Sequence, residues 1–154
     1  MRRALAISIA ITLACAQTWA AAPRLWWNRI RYRGGTVHAK VSAFDWNTTL
    51  TLTPDAIDLL INPNTRVHIK PSQVISISYG QEARRRVADV AALNQPYNPP
   101  ALFGLLHVGK KHLIGIVYYA DDGKEAAVLL ESYEYQFILL GLKSATGKPI
   151  EGAP

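Results

Sequence analysis

The sequence predicts a mainly β domain that carries a short helical insert and ends in a capping helix. Several short segments alternate between apolar and polar residues, which is typical of strands with one buried face. Turn-forming residues separate these segments, and two other stretches place apolar residues at helical spacing. The chain has 154 residues, of which 49% are hydrophobic and 18% are charged, so we expect one folded domain rather than a disordered chain.

The first half of the domain is predicted to be a series of antiparallel strands. Residues 36–43 alternate, with Val37, Ala39 and Val41 pointing one way and His38 and Lys40 the other, as in a half-buried strand. Further strands are predicted over residues 49–53, 56–61, 66–70 and 74–79.

The alternation then stops, and a helical insert is predicted around residues 82–93. Ala83, Val87 and Val90 recur at helical spacing there, and the stretch contains neither Gly nor Pro. The proline-rich residues 94–100 are predicted to form a loop. Three more strands are predicted over residues 102–108, 112–119 and 125–130.

A capping helix is predicted around residues 132–144, and Gly147 with Pro149 ends it. Its apolar face comprises Tyr135, Ile138, Leu139 and Leu142. Large side chains at positions expected to face inward favour a filled interior over a hollow one; they are Leu102, Phe103, Ile114, Ile116 and Phe137.

The N-terminus resembles an export signal. Arg2 and Arg3 precede an apolar run over residues 4–16, and small residues near Ala20 fit a cleavage site, so residues 1–20 are predicted to be a signal peptide. An uncleaved membrane anchor is one alternative, and lipidation of Cys15 is another. The protein is therefore expected in the periplasm or outside the cell, or tethered to the membrane.

Residues 21–35 combine arginines with aromatic side chains, and two interpretations stay open. In the first, the segment is a basic linker that contacts a membrane surface through Trp26, Trp27, Arg29 and Arg31. In the second, residues 29–33 begin the first strand. Ile30 and Tyr32 would then face the core and the arginines a solvated surface.

The order of elements resembles the pleckstrin-homology-like superfold, including its GRAM branch. The resemblance rests on residues 49–61, 67–79, 112–130 and 135–148, and the domain is assigned to residues 36–150. It implies a bent antiparallel sheet or partly open barrel of about seven strands, with the last helix over one open end. A lipocalin-like or other small β-barrel is the alternative fold.

What the resemblance implies about function is binding rather than catalysis, because most members of the superfold bind lipid headgroups, peptides or proteins. Phosphoinositide-binding members carry a lysine in the first strand and basic residues in the second. Lys40 matches the former, but residues 48–53 contain no basic residue. The phosphoinositide function is therefore not transferred to this chain.

The sequence predicts no catalytic residue, metal ligand or cofactor. The four histidines lie in or beside separate predicted strands, without a recognised metal-binding spacing. No GxSxG motif is present, and the serines in residues 72–78 fit a solvated strand face.

The strongest charge cluster is Arg84, Arg85 and Arg86 on the predicted insert helix, and Lys110 and Lys111 would extend it if the fold brings them close. One interpretation is contact with an anionic lipid or an acidic partner; the other is a solvated helix surface. The 17 basic residues fall to 15, against 11 acidic ones, when Arg2 and Arg3 are set aside, and this small surplus disfavours nucleic acid.

The leading hypothesis is a non-enzymatic binding or scaffold module of the bacterial cell envelope that contacts a protein, a peptide or an anionic lipid surface. A lipid or small-ligand carrier with a barrel cavity is the first alternative. An unrecognised envelope hydrolase is the second. The sequence carries no signal for an oligomeric state.

Overall fold

The computed structural model describes residues 24–42, 44–94 and 111–152. They form a mainly β fold with an eight-stranded, open, mixed sheet and two α-helices, which confirms the predicted fold class. The strands are β1 (Leu25–Gly35), β2 (Thr48–Leu52), β3 (Ile57–Asn62), β4 (Thr65–Ile69), β5 (Val74–Tyr79), β6 (Leu113–Tyr119), β7 (Glu125–Glu131) and β8 (Ile150–Glu151). The helices are α1 (Gly80–Asn94) and α2 (Tyr135–Thr146), and a 3-10 turn occupies Pro71–Gln73.

Strand β1 joins two half-sheets, one formed with β2–β4 and the other with β5–β8. The sheet order is β4-β3-β2-β1-β7-β6-β5-β8, and every pair is antiparallel except β5 with β8. β1 pairs with β2 up to Ile30 and with β7 from Arg31 onward, and its register shifts after Trp27 and after Tyr32. Such irregularities bend a strand. The change of partner therefore makes a corner, and Arg31 stands at it.

The half-sheet β5–β7 is covered on both faces, and this explains its continuous apolar sequence. Six of the seven residues of β6 are buried. One face belongs to the main core, and α1 covers the other with Ala83, Val87 and Val90, which pack with Val117 and Leu129. A strand buried on both sides does not alternate.

The two predicted helices are confirmed. In α2 the buried side chains include Ile138, Leu139 and Leu142, and the helix ends at Gly147, which adopts a left-handed φ of 69°. The Gly147 N–H donates to the Lys143 carbonyl over 2.8 Å, as is common at helix C-termini. None of the helices in the described ranges combines the length and the hydropathy of a transmembrane span.

The predicted strand over residues 36–43 is wrong: Thr36 still donates its N–H to the Ala127 carbonyl of β7, but residues 37–42 belong to no strand, and Ala43 is outside the described residues. Exposure nevertheless alternates there, and three side chains pack against the core: Val37, Ala39 and Val41. The segment is held by side chains, with the Tyr32 hydroxyl donating to the Val37 carbonyl over 2.7 Å and Asn62 Nδ2 donating to the Lys40 carbonyl over 3.4 Å. The alternation correctly indicated which side chains are buried, but it does not show whether a neighbouring strand is present.

The predicted inward residues divide into three groups. Ile114 and Ile116 are fully buried, as expected, whereas Phe137 is 67% exposed, so its prediction is wrong. Phe137 belongs to the outer face of α2, opposite the buried stripe. Leu102 and Phe103, the predicted strand over residues 102–108 and most of the predicted loop lie outside the described residues, as does the predicted leader.

Candidate functional site

The corner where β1 changes partner carries a half-open cavity of about 410 Å3, which we call the corner pocket. Arg31 in the middle of β1 and Glu131 at the end of β7 line this cavity, and Ser132 and Tyr133, in the turn before α2, close one side. It is lined by Arg31, Trp46, Lys111, His112, Glu131, Ser132 and Tyr133. A cavity of this size holds a small ligand or one end of a larger one.

A nearly buried carboxylate, Glu131, forms the electrostatic centre of the corner pocket. Glu131 is 6% exposed, and its carboxylate lies 3.5 Å from Arg31 Nη1, 3.5 Å from Arg33 Nε and 3.7 Å from Lys111 Nζ. Arg31 lies directly opposite Glu131 in the β1–β7 register. Two cations that line the pocket, Arg31 and Lys111, thus share one carboxylate, and this surplus positive charge favours an anion.

An aromatic wall borders these charges. The Arg31 guanidinium carbon lies 4.3 Å from the centre of the Trp46 ring, and Trp46 stacks on Tyr133 with ring centres 5.1 Å apart. The cation–π contact restrains the plane of the guanidinium group. Because Tyr133 is 79% exposed, the wall continues out to solvent.

Arg31 also has an unused hydrogen-bond donor. Its Nε atom is buried and has no hydrogen-bond partner among the described residues. A buried donor without a partner costs about 1–3 kcal/mol. An acceptor that reached Nε would recover part of this free energy.

A second aromatic cluster supports one side of the corner pocket. The rings of His112 and Tyr135 stack 4.0 Å apart, and the Tyr79 hydroxyl lies 2.7 Å from His112 Nδ1. These contacts connect the end of β5, the start of β6 and the first turn of α2. Partial burial, followed by the hydrogen bond with Tyr135, raises the pKa of Tyr79. Tyr79 therefore stays uncharged at neutral pH and adds no negative charge beside the pocket.

The predicted arginine cluster lies on α1, and acidic partners match much of its charge. Arg85 Nε donates to Glu82 over 3.0 Å, and Arg86 lies 3.4 Å from Glu82 and 2.8 Å from Glu151. The hydrogen bond from Arg85 is the main reason that the pKa of Glu82 lies below its usual value. Arg84 lies half-exposed on the same helix.

Of the two lysines predicted to join this cluster, one lies within the described residues. Lys111 lines the corner pocket and pairs with Glu131. Lys110 and Cys15 lie outside the described residues.

The basic aromatic segment, predicted over residues 21–35, contains β1, and its side chains lie in different environments. Trp27 belongs to the core, Trp26 is 57% exposed, and Arg29 is exposed. The expectation that the arginines of residues 29–33 face a solvated surface is wrong for Arg31 and Arg33, whose side chains are 12% and 15% exposed. The alternation was correct, but Glu131 makes ion pairs with both arginines on that face.

Sequence reasoning missed Trp46, Glu131 and Tyr133 as site residues. The useful signal was a carboxylate directly after the apolar residues 126–130, together with two arginines on one face of the first strand. Their pairing depends on which strands are neighbours, and Arg31 and Glu131 are 100 residues apart in the chain. Local pattern alone therefore does not place them together.

No three His, Cys, Asp or Glu side chains of the described ranges come together as a metal site. No protein-family model matches this chain, and no curated protein is significantly similar to it.

Proposed function

We propose that this chain is a non-enzymatic binding module of the bacterial cell envelope, which holds an anionic group of its partner in the corner pocket. The carrying observation is the surplus of positive charge around Glu131 beside the Trp46–Tyr133 wall. Charged donors next to an aromatic surface bind anions that carry an apolar portion.

Two further features support the proposal. An open sheet that bends at β1, with α2 packed against it, agrees with the resemblance to the pleckstrin-homology-like superfold. The apolar run over residues 4–16 behind Arg2 and Arg3 supports export, with the protein free in the periplasm, secreted or tethered to the membrane.

Neither alternative function is favoured by a specific observation. A carrier would need an enclosed apolar cavity, but large side chains occupy the core among the described elements, including Ile77, Ile114 and Ile116. The described residues also form a half-open cavity of about 440 Å3 beside the core, and polar side chains such as Lys40 and Asp45 line part of it. No arrangement in the described ranges points to a hydrolytic nucleophile. The binding module is therefore the function we retain.

Titration with small anions tests this proposal. We expect acetate and inorganic phosphate, exchanged for chloride at constant ionic strength, to shift the NMR signals of the Trp46 indole and the Arg31 side chain. Arg31→Gln should weaken binding about tenfold, the effect of losing one charge-assisted hydrogen-bond partner. Lys111→Gln should weaken it less, because Lys111 is 39% exposed.

The matched control is Arg29→Gln, which removes an exposed arginine from the same strand. It should leave the affinity for both anions unchanged. The proposal fails if neither anion shifts the pocket signals, or if Arg29→Gln weakens binding as much as Arg31→Gln.

A further inference from the structure

We propose that the anionic group is the terminal carboxylate of a short, extended, apolar peptide segment of a partner protein, which lies along α2 with its carboxylate in the corner pocket. This inference rests on the proposed function and names the partner that the pocket serves. It is carried by the pocket together with the neighbouring outer surface of α2.

The pocket end of this surface is suited to a carboxylate. Arg31 hydrogen-bonds to Glu131 through Nη1, while its Nε has no partner in the described part of the chain. A guanidinium group can bind the two oxygens of a carboxylate side by side. Lys111, which is 39% exposed, supplies a second positive charge at the same place.

An exposed apolar strip leads away from the pocket along α2. Phe137 and Leu140 are 67% and 66% exposed, although the helix buries its opposite face. At the far end Leu25 is 46% exposed and lines, with Gly141, a second cavity of about 250 Å3.

Contacts near both ends of the strip involve residues of β1 or side chains packed on it. Gly141 packs against Leu25 and Trp27 of β1, whereas Tyr133, just before α2, stacks on Trp46, which lies under Arg31 of β1. Phe137 is four residues from both Tyr133 and Gly141. Along the chain, the strip therefore lies between the corner pocket and the second cavity.

The length of the strip fits a short peptide. Tyr133 and Gly141 are eight positions apart, which corresponds to about 12 Å at the rise of a helix. An extended chain covers the same distance with about four residues.

The distribution of charge favours a peptide over a bilayer. Arg31 and Lys111 lie in the corner pocket at one end of the strip, and the exposed Glu134 lies next to Tyr133. A broad anionic membrane surface would face Glu134 as well as the cations, whereas a single carboxylate enters the pocket alone.

The probe is the peptide acetyl-Leu-Ala-Leu-Phe with a free C-terminal carboxylate, compared with its C-terminal amide and with acetate. Calorimetric titration of the full chain should show the acid binding at least tenfold more tightly than either the amide or acetate. The double variant Phe137→Ser/Leu140→Ser should weaken the acid about tenfold and leave the acetate affinity unchanged. Leu93→Ser, which removes an equally apolar side chain that is 79% exposed on α1, should change neither affinity.

The outcomes separate this inference from the proposed function. If acetate binds through Arg31 but the peptide acid binds no more tightly, the peptide inference is wrong and the anion site stands. If the chain floats with phosphatidylglycerol vesicles through Phe137 and Leu140 and ignores the peptide, the strip serves a lipid surface and the peptide inference is also wrong. If Arg31→Gln changes no affinity, the proposed function itself fails.

Discussion

Two regions of this molecule concentrate arginine, and their surroundings differ. On α1, Arg85 and Arg86 are exposed and pair with Glu82 and Glu151. On β1, two arginines are largely buried and share Glu131 with a lysine. The α1 cluster dominates the sequence, yet the surplus of charge in a cavity lies at β1. Solvent exposure and the number of acidic partners, rather than the number of consecutive arginines, decide where an anion would bind.

The largest expected difference concerns the two central carboxylates. Glu131→Ala leaves three cations around a buried site, and we expect the free energy of unfolding to fall by about 3–5 kcal/mol, as for one broken buried ion pair. Glu82→Ala should change it little, because water solvates the exposed arginines that remain. Urea denaturation of both variants measures the difference. Equal losses would show that the two clusters are energetically alike.

The aromatic wall of the corner pocket gives a smaller effect. Trp46→Ala removes the ring under Arg31 and the stack on Tyr133, and we expect a loss of about 1–3 kcal/mol from these two contacts. It should also weaken acetate binding, since the guanidinium plane is no longer restrained. Trp26→Ala is the matched control, because Trp26 is 57% exposed on β1. A loss as large in Trp26→Ala would contradict the role given to Trp46.

The smallest effect is the pH dependence of the α1 cluster. Arg85 lowers the pKa of Glu82 in the folded protein. This pair therefore stabilises the fold at pH values above the pKa that Glu82 has in the unfolded chain, and the stabilisation is lost as the pH falls through the pKa of Glu82 in the folded protein. The difference in Tm between the native chain and Glu82→Gln should therefore be present at pH 7 and shrink below the usual glutamate value of 4.5. High salt should also reduce it at pH 7. A difference that persists in acid would exclude the ion pair as its cause.

Local sequence patterns predicted the elements of this fold better than the contacts between them. The spacing of Ala83, Val87 and Val90 predicted α1, and that of Ile138 and Leu142 predicted α2, because a helix places such residues on one face. β8 was not predicted, since two residues carry no period. Residues 36–42 were predicted as a strand because alternation does not reveal whether a partner strand is present.

The candidate site was less accessible to sequence reasoning. Arg31 and Lys111 were singled out, but for a membrane surface and for the α1 cluster. Glu131 brings them together only because β1 leaves β2 and joins β7, a pairing that links positions 100 residues apart. Phe137 was expected inside because its size was considered without the rotation of α2.

An acetate titration of two arginine variants decides whether the corner pocket or the α1 cluster binds the anion. Arg31→Gln and Arg85→Gln remove the same charge from the two regions, so any effect of net charge alone is equal in both. We expect Arg31→Gln to weaken acetate binding about tenfold and Arg85→Gln to leave it unchanged. Equal weakening in both variants, or weakening in Arg85→Gln alone, would show that the corner pocket is not the anion site.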